Sequence, residues 1–518
     1  MALKRPSSLL SPIIFFFLVS HLCNFDTRAS ATGVLKVQHK FVGRNRTILD
    51  LRATTAGAAA ASSPPPTSPS AASASRPTQG ARLIHYLPFF SALVRLYYTQ
   101  IGIGTPSNSY YVQVDTGSDI LWVNCISCDR CPKKSDLGIK LTLYDPKRSE
   151  SGSLVSCKES FCASTYGGEL PGCLANIPCQ YSVMYGDGSS TTGFFVTDNV
   201  QYDQITGDHE TKQVNASVTF GCGARQSGDL GSSSEALDGI LGFGQSNSSM
   251  ISQLASSGKV SKVFAHCLDS IHGGGIFAIG HVVQPKVKTT PLVPNQPHYN
   301  VHLKAIEVGG AILQLPTDLF ETGARKGTII DSGTTLSYLP EEAYKPLMSA
   351  VFANHQDLSF QTIQDFLCFQ YAGSVDDGFP AVVFHFENSL SLNVYPHDYL
   401  FKMRDANGLG QCWNEDNVYC IGFQNGGLQS KDGKDMFLLG DLVLSNKLVL
   451  YDLENEVIGW TEYNCSSSIK IRDDKTGAVY TVDAHILSSA QRLEFGIKIL
   501  LFFADSIYQL FSSLISLQ

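Results

Sequence analysis

The sequence lacks the features typical of nucleic-acid-binding and membrane-spanning proteins. Charged residues make up 16% of its 518 residues and the net charge is −8, so no basic excess is present to neutralise phosphates. The apolar run from Leu9 to Val19 is too short to cross a bilayer. Helical periodicity is also scarce: residues 341–355 carry the clearest case, and short apolar runs broken by Gly and Asn fill most of the rest. These absences leave a mainly β globular protein, long enough for two or more domains.

The N-terminus has the pattern of a secretory signal peptide. Lys4 and Arg5 precede the apolar run, and small residues at Ala29 and Ala31 follow it in an A-x-A arrangement. Residues 1–31 are therefore predicted to direct the chain into the secretory pathway. We expect an extracellular or cell-surface location, with the vacuole as the alternative.

A basic, low-complexity leader follows at residues 32–96. It contains eight Lys and Arg against one acid, and residues 58–75 are dominated by Ala, Ser and Pro, which cannot build a core. The leader carries +7 and residues 1–31 carry +2, which leaves −17 for residues 97–518 because the whole chain carries −8. Residues 34–42 alternate like a strand. We interpret residues 32–96 as a removable pro-segment that docks on the acidic body.

Half of the 14 cysteines lie in one short stretch. They are Cys125, Cys128, Cys131, Cys157, Cys162, Cys173 and Cys179. A zinc site is the alternative to disulfides, but no His is interleaved in this cluster and the signal peptide implies an oxidising compartment. We therefore predict disulfides and no metal. Sequons at Asn45, Asn215 and Asn247 predict N-glycosylation.

One motif, D-[ST]-G-[ST], occurs twice behind apolar residues. It starts at Asp115 and again at Asp331, 216 positions later. Each copy is followed further along by two apolar residues and a glycine, at 240–242 and 438–440. The sequence thus predicts two similar halves. In each, an apolar strand ends in an Asp turn, and a second apolar strand ending in Gly packs beside it.

Two such turns facing each other would place two carboxylates in one site. The two groups could not both ionise cheaply, so one would act as base on a water while the other stayed protonated. The residues that would shape the two turns around them are Thr116, Gly117, Ser118, Ser332, Gly333 and Thr334. This chemistry needs no cofactor, metal or covalent nucleophile.

Together these motifs resemble the pepsin-like aspartic endopeptidases, and the Cys-rich stretch after "LWVNC" resembles their plant nepenthesin-like branch. The resemblance covers residues 97–465. It implies two β lobes with the active-site cleft between them and a catalytic dyad of Asp115 and Asp331. It also implies a flap at Tyr185, Gly186 and Asp187, with Trp122 as its hydrogen-bond partner. Polypeptide substrates, acidic pH, inhibition by pepstatin and a monomeric state are the corresponding expectations.

The resemblance further implies domain limits and disulfide pairs. The N-terminal lobe would span 97–290 with the Cys-rich insert at 125–179, the C-terminal lobe 291–465, and a tail 466–518. The implied pairs are Cys125–Cys128, Cys131–Cys222, Cys157–Cys179, Cys162–Cys173, Cys267–Cys465 and Cys368–Cys420. Cys412 is an alternative partner for Cys368.

Two other functions fit parts of the sequence. A lipase-like reading of "HGGG" at 272–275 requires a G-x-S-x-G elbow, which the sequence lacks. A non-catalytic binding or inhibitor protein of the same fold is the stronger rival, although such proteins usually lose a catalytic Asp or the flap. Tyr185 itself has an alternative role as an ordinary turn tyrosine.

The C-terminal tail leaves three alternatives open. Small residues at 488–490 fit the attachment site of a glycosylphosphatidylinositol (GPI) anchor, although the polar spacer after them is short. The apolar stretch from Phe495 also fits a helix lying on a membrane surface, with Lys498 and Asp505 on its polar stripe. The third alternative is a packed terminal helix. We favour the lipid anchor.

Overall fold

The computed structural model describes most of the chain between residues 97 and 484, together with two short pieces of the leader. The described ranges are 33–35, 37–39, 97–233, 235–271, 273–321, 327–363, 366–402, 417–426, 436–474 and 476–484. The signal peptide, most of the leader, Asn45, Cys412 and the predicted anchor region lie outside the described residues.

The described part of the chain is mainly β, as predicted. Its first strands are β1 (Gly33–Leu35), β2 (Val37–His39), β3 (Tyr97–Ile103), β4 (Asn108–Asp115), β5 (Leu121–Asp129), β6 (Ser153–Leu154), β7 (Gln180–Met184), β8 (Ser190–Gly207), β9 (Glu210–Ser227), β10 (Gly239–Gly242), β11 (Val263–Leu268), β12 (Gly275–Ile279), β13 (His281–Gln284) and β14 (Lys288–Pro291). The second half adds β15 (Asn300–Val301), β16 (Leu303–Val308), β17 (Ala311–Ile312), β18 (Thr328–Ile330), β19 (Ser337–Leu339), β20 (Phe360–Ile363), β21 (Phe366–Gln370), β22 (Val382–Phe386), β23 (Ser391–Val394), β24 (Leu400–Lys402), β25 (Val418–Ile421), β26 (Phe423–Asn425), β27 (Leu438–Leu439), β28 (Lys447–Asp452), β29 (Val457–Glu462), β30 (Ile469–Arg472) and β31 (Val479–Val482).

One large sheet runs through both halves of the chain. Its order is β14-β29-β28-β11-β12-β1-β8-β9-β5-β10-β4-β3-β2, with β6 and β7 pairing on β8. The late strands β28 and β29 join it because β28 pairs with β11, with Tyr451 opposite Phe264. The two rings are stacked, with their centroids 4.5 Å apart and an angle of 5° between their planes. The sheet therefore continues across the boundary predicted near residue 290.

Two strands of the leader belong to this sheet. Strand β1 lies between β12 and β8, with Val34 opposite both Ala278 and Asp203. Strand β2 pairs with β3 at the sheet edge. Val34 is buried in one hydrophobic cluster, and Leu35 and Val37 are buried in another, so β1 is covered on both faces. Removal of all of residues 32–96 would leave the β1 position between β12 and β8 unfilled.

The second half builds three smaller sheets. Their orders are β15-β18-β27-β19-β26, β17-β16-β22-β23 and β20-β21-β25-β24. The first of these carries the second Asp motif at the end of β18. Buried aliphatic and aromatic side chains from both halves form one contiguous core beneath the sheets.

Helices are short and few among the described residues. They are α1 (Ser160–Tyr166), α2 (Asp229–Ser232), α3 (Met250–Ser256), α4 (Glu341–Val351), α5 (Val375–Gly378), α6 (Pro396–Tyr399) and α7 (Asp441–Leu444), with 3₁₀ turns at Thr317–Phe320 and Glu387–Ser389. The helix predicted at 341–355 is confirmed as α4, although it ends at Val351. Ala343, Leu347 and Val351 recur every four residues and are buried, which is the spacing of one helix face.

The chain continues to fold beyond Cys465, where the predicted tail begins. Strands β30 and β31 form an antiparallel pair that adds to β13. Ile469, Ile471 and Val482 are buried there against Cys267 and Cys465. Within the described residues, no helix has the length and apolar character needed to cross a membrane.

The Cys-rich insert is disulfide-bonded, but the pairing expected near its start is wrong. The structure joins Cys125 to Cys222 and Cys128 to Cys131. Cys125 and Cys128 both lie in β5, where three residues span about 10 Å and successive side chains point to opposite faces, so they cannot meet. Val123 is instead the neighbour of Cys222 across β5 and β9, and the chain turns sharply at Arg130, which brings Cys131 back to Cys128.

The next two expected pairs are also exchanged. The structure joins Cys157 to Cys173 and Cys162 to Cys179. Helix α1 directs Cys162 into a buried cluster that also holds Cys179, immediately before β7, whereas Cys173 lies in the loop that returns past Cys157. The remaining two expectations, Cys267–Cys465 and Cys368–Cys420, are confirmed. The latter pair lies directly opposite on β21 and β25, which decides against Cys412.

Candidate active site

The two Asp motifs form matching turns at strand ends, as the repeat predicted. Asp115 ends β4, and β10 lies parallel beside it with Gly242 opposite Asp115. Asp331 follows β18, and β27 lies parallel beside that strand with Leu439 opposite Ile330. Both late apolar strands that end in Gly are therefore confirmed in their predicted places.

Glycine is required where these pieces meet. A Cβ on Gly333 would lie 2.0 Å from Oδ1 of Asp115, so the first carboxylate fits directly against the second turn. A Cβ on Gly440 would lie 2.1 Å from the carbonyl oxygen of Leu336. Any side chain at either position would force the backbone apart.

Each carboxylate is held by the same pair of donors from its own turn. Asp115 accepts the N–H of Gly117 at 2.8 Å and the hydroxyl of Ser118 at 2.5 Å. Asp331 accepts the N–H of Gly333 at 2.8 Å and the hydroxyl of Thr334 at 2.6 Å. The equivalence of the two sets fixes both carboxylates in the same orientation relative to their strands.

The two carboxyl groups share one buried environment. Burial and the nearby charge of Asp331 raise the pKa of Asp115 well above its usual range, against the lowering effect of its donors. Burial likewise raises the pKa of Asp331, while the donors from Thr334 and Gly333 oppose the rise. Two neighbouring buried carboxyl groups cannot both ionise cheaply, so the site favours one protonated and one ionised group.

A hydrogen bond between the halves locks the turns together. The N–H of Ser332 donates to Oγ1 of Thr116 at 2.9 Å, and that hydroxyl lies 3.2 Å from Oγ of Ser332. The buried Tyr451 phenol lies close to the same turns: burial raises its pKa most, and the charge of Asp331 adds to the rise. Tyr451 was not singled out in the sequence, because only the pairing of β28 with β11 places it there.

Tyr185 lies at the tip of a hairpin, as predicted. In the turn between β7 and β8, the N–H of Tyr185 donates a hydrogen bond to the carbonyl of Ser189 at 2.9 Å. The Ser189 hydroxyl donates to Oδ1 of Asp187 at 2.8 Å. The indole N–H of Trp122 donates to the Tyr185 phenol oxygen at 2.6 Å. Burial first, and then the charge of Asp115, raise the pKa of Tyr185, so the phenol lies within electrostatic reach of the dyad. Whether this hairpin moves over substrate stays a prediction.

Two further residues, neither of them part of a recognisable motif, approach the site. Asp119 follows the first turn and accepts the N–H of Ser246 at 3.0 Å; burial raises its pKa to about 6. His298 directs Nδ1 at the carbonyl of Gly117, 3.0 Å away. Neither is repeated in the other half, so no pattern in the sequence could have singled them out.

The predicted glycosylation sites within the described residues are accessible. Asn215 on β9 and Asn247 before α3 are both exposed. Their modification stays a prediction.

Two family models match the chain, one for each half. The model described as "Xylanase inhibitor N-terminal" matches residues 97–281, and "Xylanase inhibitor C-terminal" matches residues 298–462. Aspartic proteinase 36 of Arabidopsis thaliana is 47% identical over 89% of this chain and 90% of its own length. Aspartic proteinase 39 of the same plant is 44% identical over 94% of this chain and 96% of its own.

A solved structure shares the fold at lower identity. Conglutin gamma, described as a unique basic 7S globulin from lupine seeds, superposes with a TM-score of 0.55 at 20% identity, covering 72% of this chain and 92% of its own. At this identity the likeness concerns the two-lobed β fold alone.

Proposed function

The chain belongs to the plant branch of the pepsin-like aspartic proteinases, and on that premise we propose that it is a secreted endopeptidase that hydrolyses peptide bonds at acidic pH. The observation that supports this most strongly is the paired arrangement of Asp115 and Asp331. Each has its own two donors, both are buried, and burial together with their mutual charge raises the pKa of the pair. The pair has the geometry for activating one water between them.

The dyad acts as a unit in this mechanism. One carboxylate removes a proton from a bound water, which attacks the carbonyl carbon of the scissile peptide. The protonated partner donates to the carbonyl oxygen as the tetrahedral intermediate forms. Collapse of that intermediate then requires a proton on the leaving amine, which the dyad returns. Neither role is assigned to one residue, because the pair titrates together.

The reaction needs the dyad to hold one proton, and this sets the direction of the pH dependence. Burial raises the pKa of both groups, which extends the singly protonated form above the usual range of a carboxyl group. Rising pH eventually removes the remaining proton and falling pH adds a second. We therefore expect a bell-shaped profile centred in the acid range.

Polypeptides are the proposed substrates, and the hairpin around Tyr185 is proposed to close over them. The indole of Trp122 holds the phenol at 2.6 Å, which would position the tip above the dyad. Pepstatin-type inhibitors, which occupy such a dyad, are expected to bind, and the protein is proposed to act as a monomer.

The rival function is that of a binding or inhibitor protein of the same fold. The matching family models are named after xylanase inhibitors, which is the reason to consider it. Binding or inhibition alone would not require two buried carboxylates that are each held by two donors. Here both carboxylates, all four turn donors and the Trp122–Tyr185 pair are present. The catalytic proposal accounts for these features and the rival does not.

The deciding experiment is digestion of a denatured protein across acidic pH, with and without pepstatin. The acid-treated wild-type chain should cleave it, and pepstatin should stop cleavage. Asp115→Asn and Asp331→Asn should each lower kcat by roughly a thousandfold or more while the unfolding midpoint stays close to that of wild type. Turnover retained in either variant would rule out the shared-water mechanism.

Latency is proposed to come from the basic leader. Its +7 charge is attracted to the −17 body near neutral pH, and acid weakens this by protonating body carboxylates. Acid exposure should convert the chain to a shorter form beginning near residue 97. A chain that is fully active at neutral pH with its leader attached would refute latency.

Attachment to a membrane through the C-terminal tail is a further proposal. The sequence from 488 onward supports it with small residues followed by an apolar stretch. Phosphatidylinositol-specific phospholipase C should release the protein from membranes if a GPI anchor is present. Release by salt or detergent alone would favour a surface helix, and a protein found wholly in the soluble fraction would refute both.

A further inference from the structure

A histidine from the second half of the chain contacts the first catalytic turn. His298 lies two residues before the start of β15, whose Asn300 pairs with Ile329 in the strand that leads to Asp331. Its ring Nδ1 is 3.0 Å from the carbonyl oxygen of Gly117, and the side chain is nearly buried. Because a carbonyl oxygen can only accept, the proton of this hydrogen bond is on Nδ1.

This contact holds the peptide group that joins the two donors to Asp115. The carbonyl of Gly117 is part of the planar peptide group between Gly117 and Ser118. The N–H of Gly117 donates to the Asp115 carboxylate at 2.8 Å, and the hydroxyl of Ser118 donates to it at 2.5 Å. A hydrogen bond that fixes the carbonyl of Gly117 therefore also helps to fix the two donors that stabilise ionised Asp115.

The histidine is itself held firmly in place. The side-chain amide of Gln245 donates to the backbone carbonyl of His298 at 2.6 Å, and the hydroxyl of Tyr299 donates to the carbonyl of Phe243 at 2.6 Å. Both contacts tie residues 298–299 to the segment that follows β10, the neighbour of the Asp115 strand. The backbone that carries the His298 ring is therefore held in place beside Gly117.

We infer that His298 is a positioning residue that orients the Gly117–Ser118 peptide group toward Asp115 and so tunes the ionisation of the dyad. The inference rests on the proposed dyad mechanism. Besides Asp115 and Asp331, the charged groups of the segments around it are Asp119 and Lys262, whose ammonium donates to the carbonyl of Gln245 at 3.3 Å. All four are unchanged in the variants below.

Substitutions at position 298 separate orientation from bulk. His298→Ala removes the donor. His298→Asn keeps a donor close to the position of Nδ1, whereas His298→Gln carries its amide further out, near the position of Nε2. When the peptide group between Gly117 and Ser118 is no longer held, the two donors to Asp115 weaken and the pKa of the ionising carboxyl rises. The acid limb of kcat/KM should therefore move to higher pH in the Ala and Gln variants, by up to roughly one pH unit.

The expected pattern in kinetics follows from the same geometry. In the Ala and Gln variants kcat should fall roughly five- to tenfold with KM little changed. This is the effect expected when one hydrogen bond that stabilises the transition state more than the bound substrate is lost. The Asn variant should keep the wild-type acid limb. His355→Ala is the matched control: it removes another hydrogen bond from a histidine ring to a backbone carbonyl, that of Gly378 at 2.7 Å, outside the two catalytic turns, and should leave the acid limb unchanged.

The position of the acid limb does not depend on how much of each preparation is folded, so a destabilised variant still gives a reading. An unchanged limb in the Ala variant, or an Asn variant that behaves like the Ala variant, would overturn the role of His298. A wild-type protein without peptidase activity would instead reject the proposed function. The two failures are thus told apart within one set of measurements.

Discussion

The backbone N–H of Ser332 donates to the hydroxyl of Thr116 at 2.9 Å, so the two catalytic turns are held by a direct bond between residues 216 positions apart. The hydroxyl of Thr116 lies 3.2 Å from that of Ser332 as well. Neither residue supplies a carboxylate, yet the bond sets the separation of the two that do. The distance between the carboxyl groups is therefore determined by tertiary contacts on the neighbouring residues.

Thr116→Val tests this bond. Valine keeps the shape of threonine but cannot accept the Ser332 N–H, so the two turns should lose their fixed separation. We expect kcat to fall roughly tenfold or more, because small misplacement of reacting groups is costly. Thr197→Val is the matched control, since it removes a hydroxyl pair with Thr219 (2.7 Å) within the β8–β9 hairpin. Equal activity in the two variants would contradict the role of Thr116.

The stability of the fold should fall as pH rises from about 4 toward neutrality. Burial and the Asp331 charge raise the pKa of Asp115, and burial raises that of Asp238 to about 6. A carboxyl with a raised pKa in the folded state contributes stability that is complete below its unfolded value and is lost as pH rises through its folded value. For buried Asp238 the shift corresponds to up to about 3 kcal/mol.

The check is the denaturant midpoint measured at pH 4.5 and pH 7.5 in wild type and in Asp115→Asn. Asparagine cannot ionise, so the variant should lose less stability than wild type between the two pH values. Parallel decreases in both proteins would show that the dyad does not contribute to the pH dependence.

The hydroxyl of Tyr185 should matter through Trp122. Tyr185→Phe removes the acceptor of the 2.6 Å bond from the indole, which frees the hairpin tip to take other positions. We expect kcat/KM to fall roughly tenfold. Tyr181→Phe is the control on the same hairpin, since it removes a bond to Thr191 at 3.2 Å and leaves the tip intact. If Tyr181→Phe lowers activity as much, the effect belongs to hairpin stability.

The leader strand should stabilise the body that it accompanies. A chain beginning at residue 97 lacks β1 and β2 and so loses the burial of Val34, Leu35 and Val37. Each such side chain contributes about 1.5–3 kcal/mol as an upper estimate, so unfolding should be easier by several kcal/mol. The comparison is with a chain beginning at residue 32, and mass spectrometry of the acid-treated protein would show whether residues 33–39 stay bound. Equal denaturation midpoints would mean that the strand adds nothing.

The strand pair after Cys465 should be part of the folded body. A chain ending at residue 466 loses buried Ile469, Ile471 and Val482 and should melt lower by roughly 5 °C or more. A chain ending at residue 484 retains them and should melt with the full-length protein. Identical melting of both truncations would show that β30 and β31 are dispensable.

The sequence by itself determined which residues form the site, because these residues belong to short local motifs. The two D-[ST]-G-[ST] turns, their late Gly partners and the hairpin at Tyr185 each fit within a few residues. Strand, turn and glycine preferences act over that range. Their repetition predicted that β10 packs beside β4 and β27 beside β18, and the structure shows that both pairs are parallel.

What only the tertiary structure decided depends on contacts that no local pattern carries. Cys125 pairs with Cys222 because β5 and β9 are neighbours, and the chain position of a cysteine does not reveal its neighbour across a sheet. The leader strand β1 fills a place between β8 and β12, two strands that are far apart in the chain and become neighbours of β1 only in the folded sheet. His298 reaches Gly117 for the same reason: the β15–β18 pairing brings it across from the other half, and side-chain geometry over 181 residues is set by packing rather than by sequence pattern.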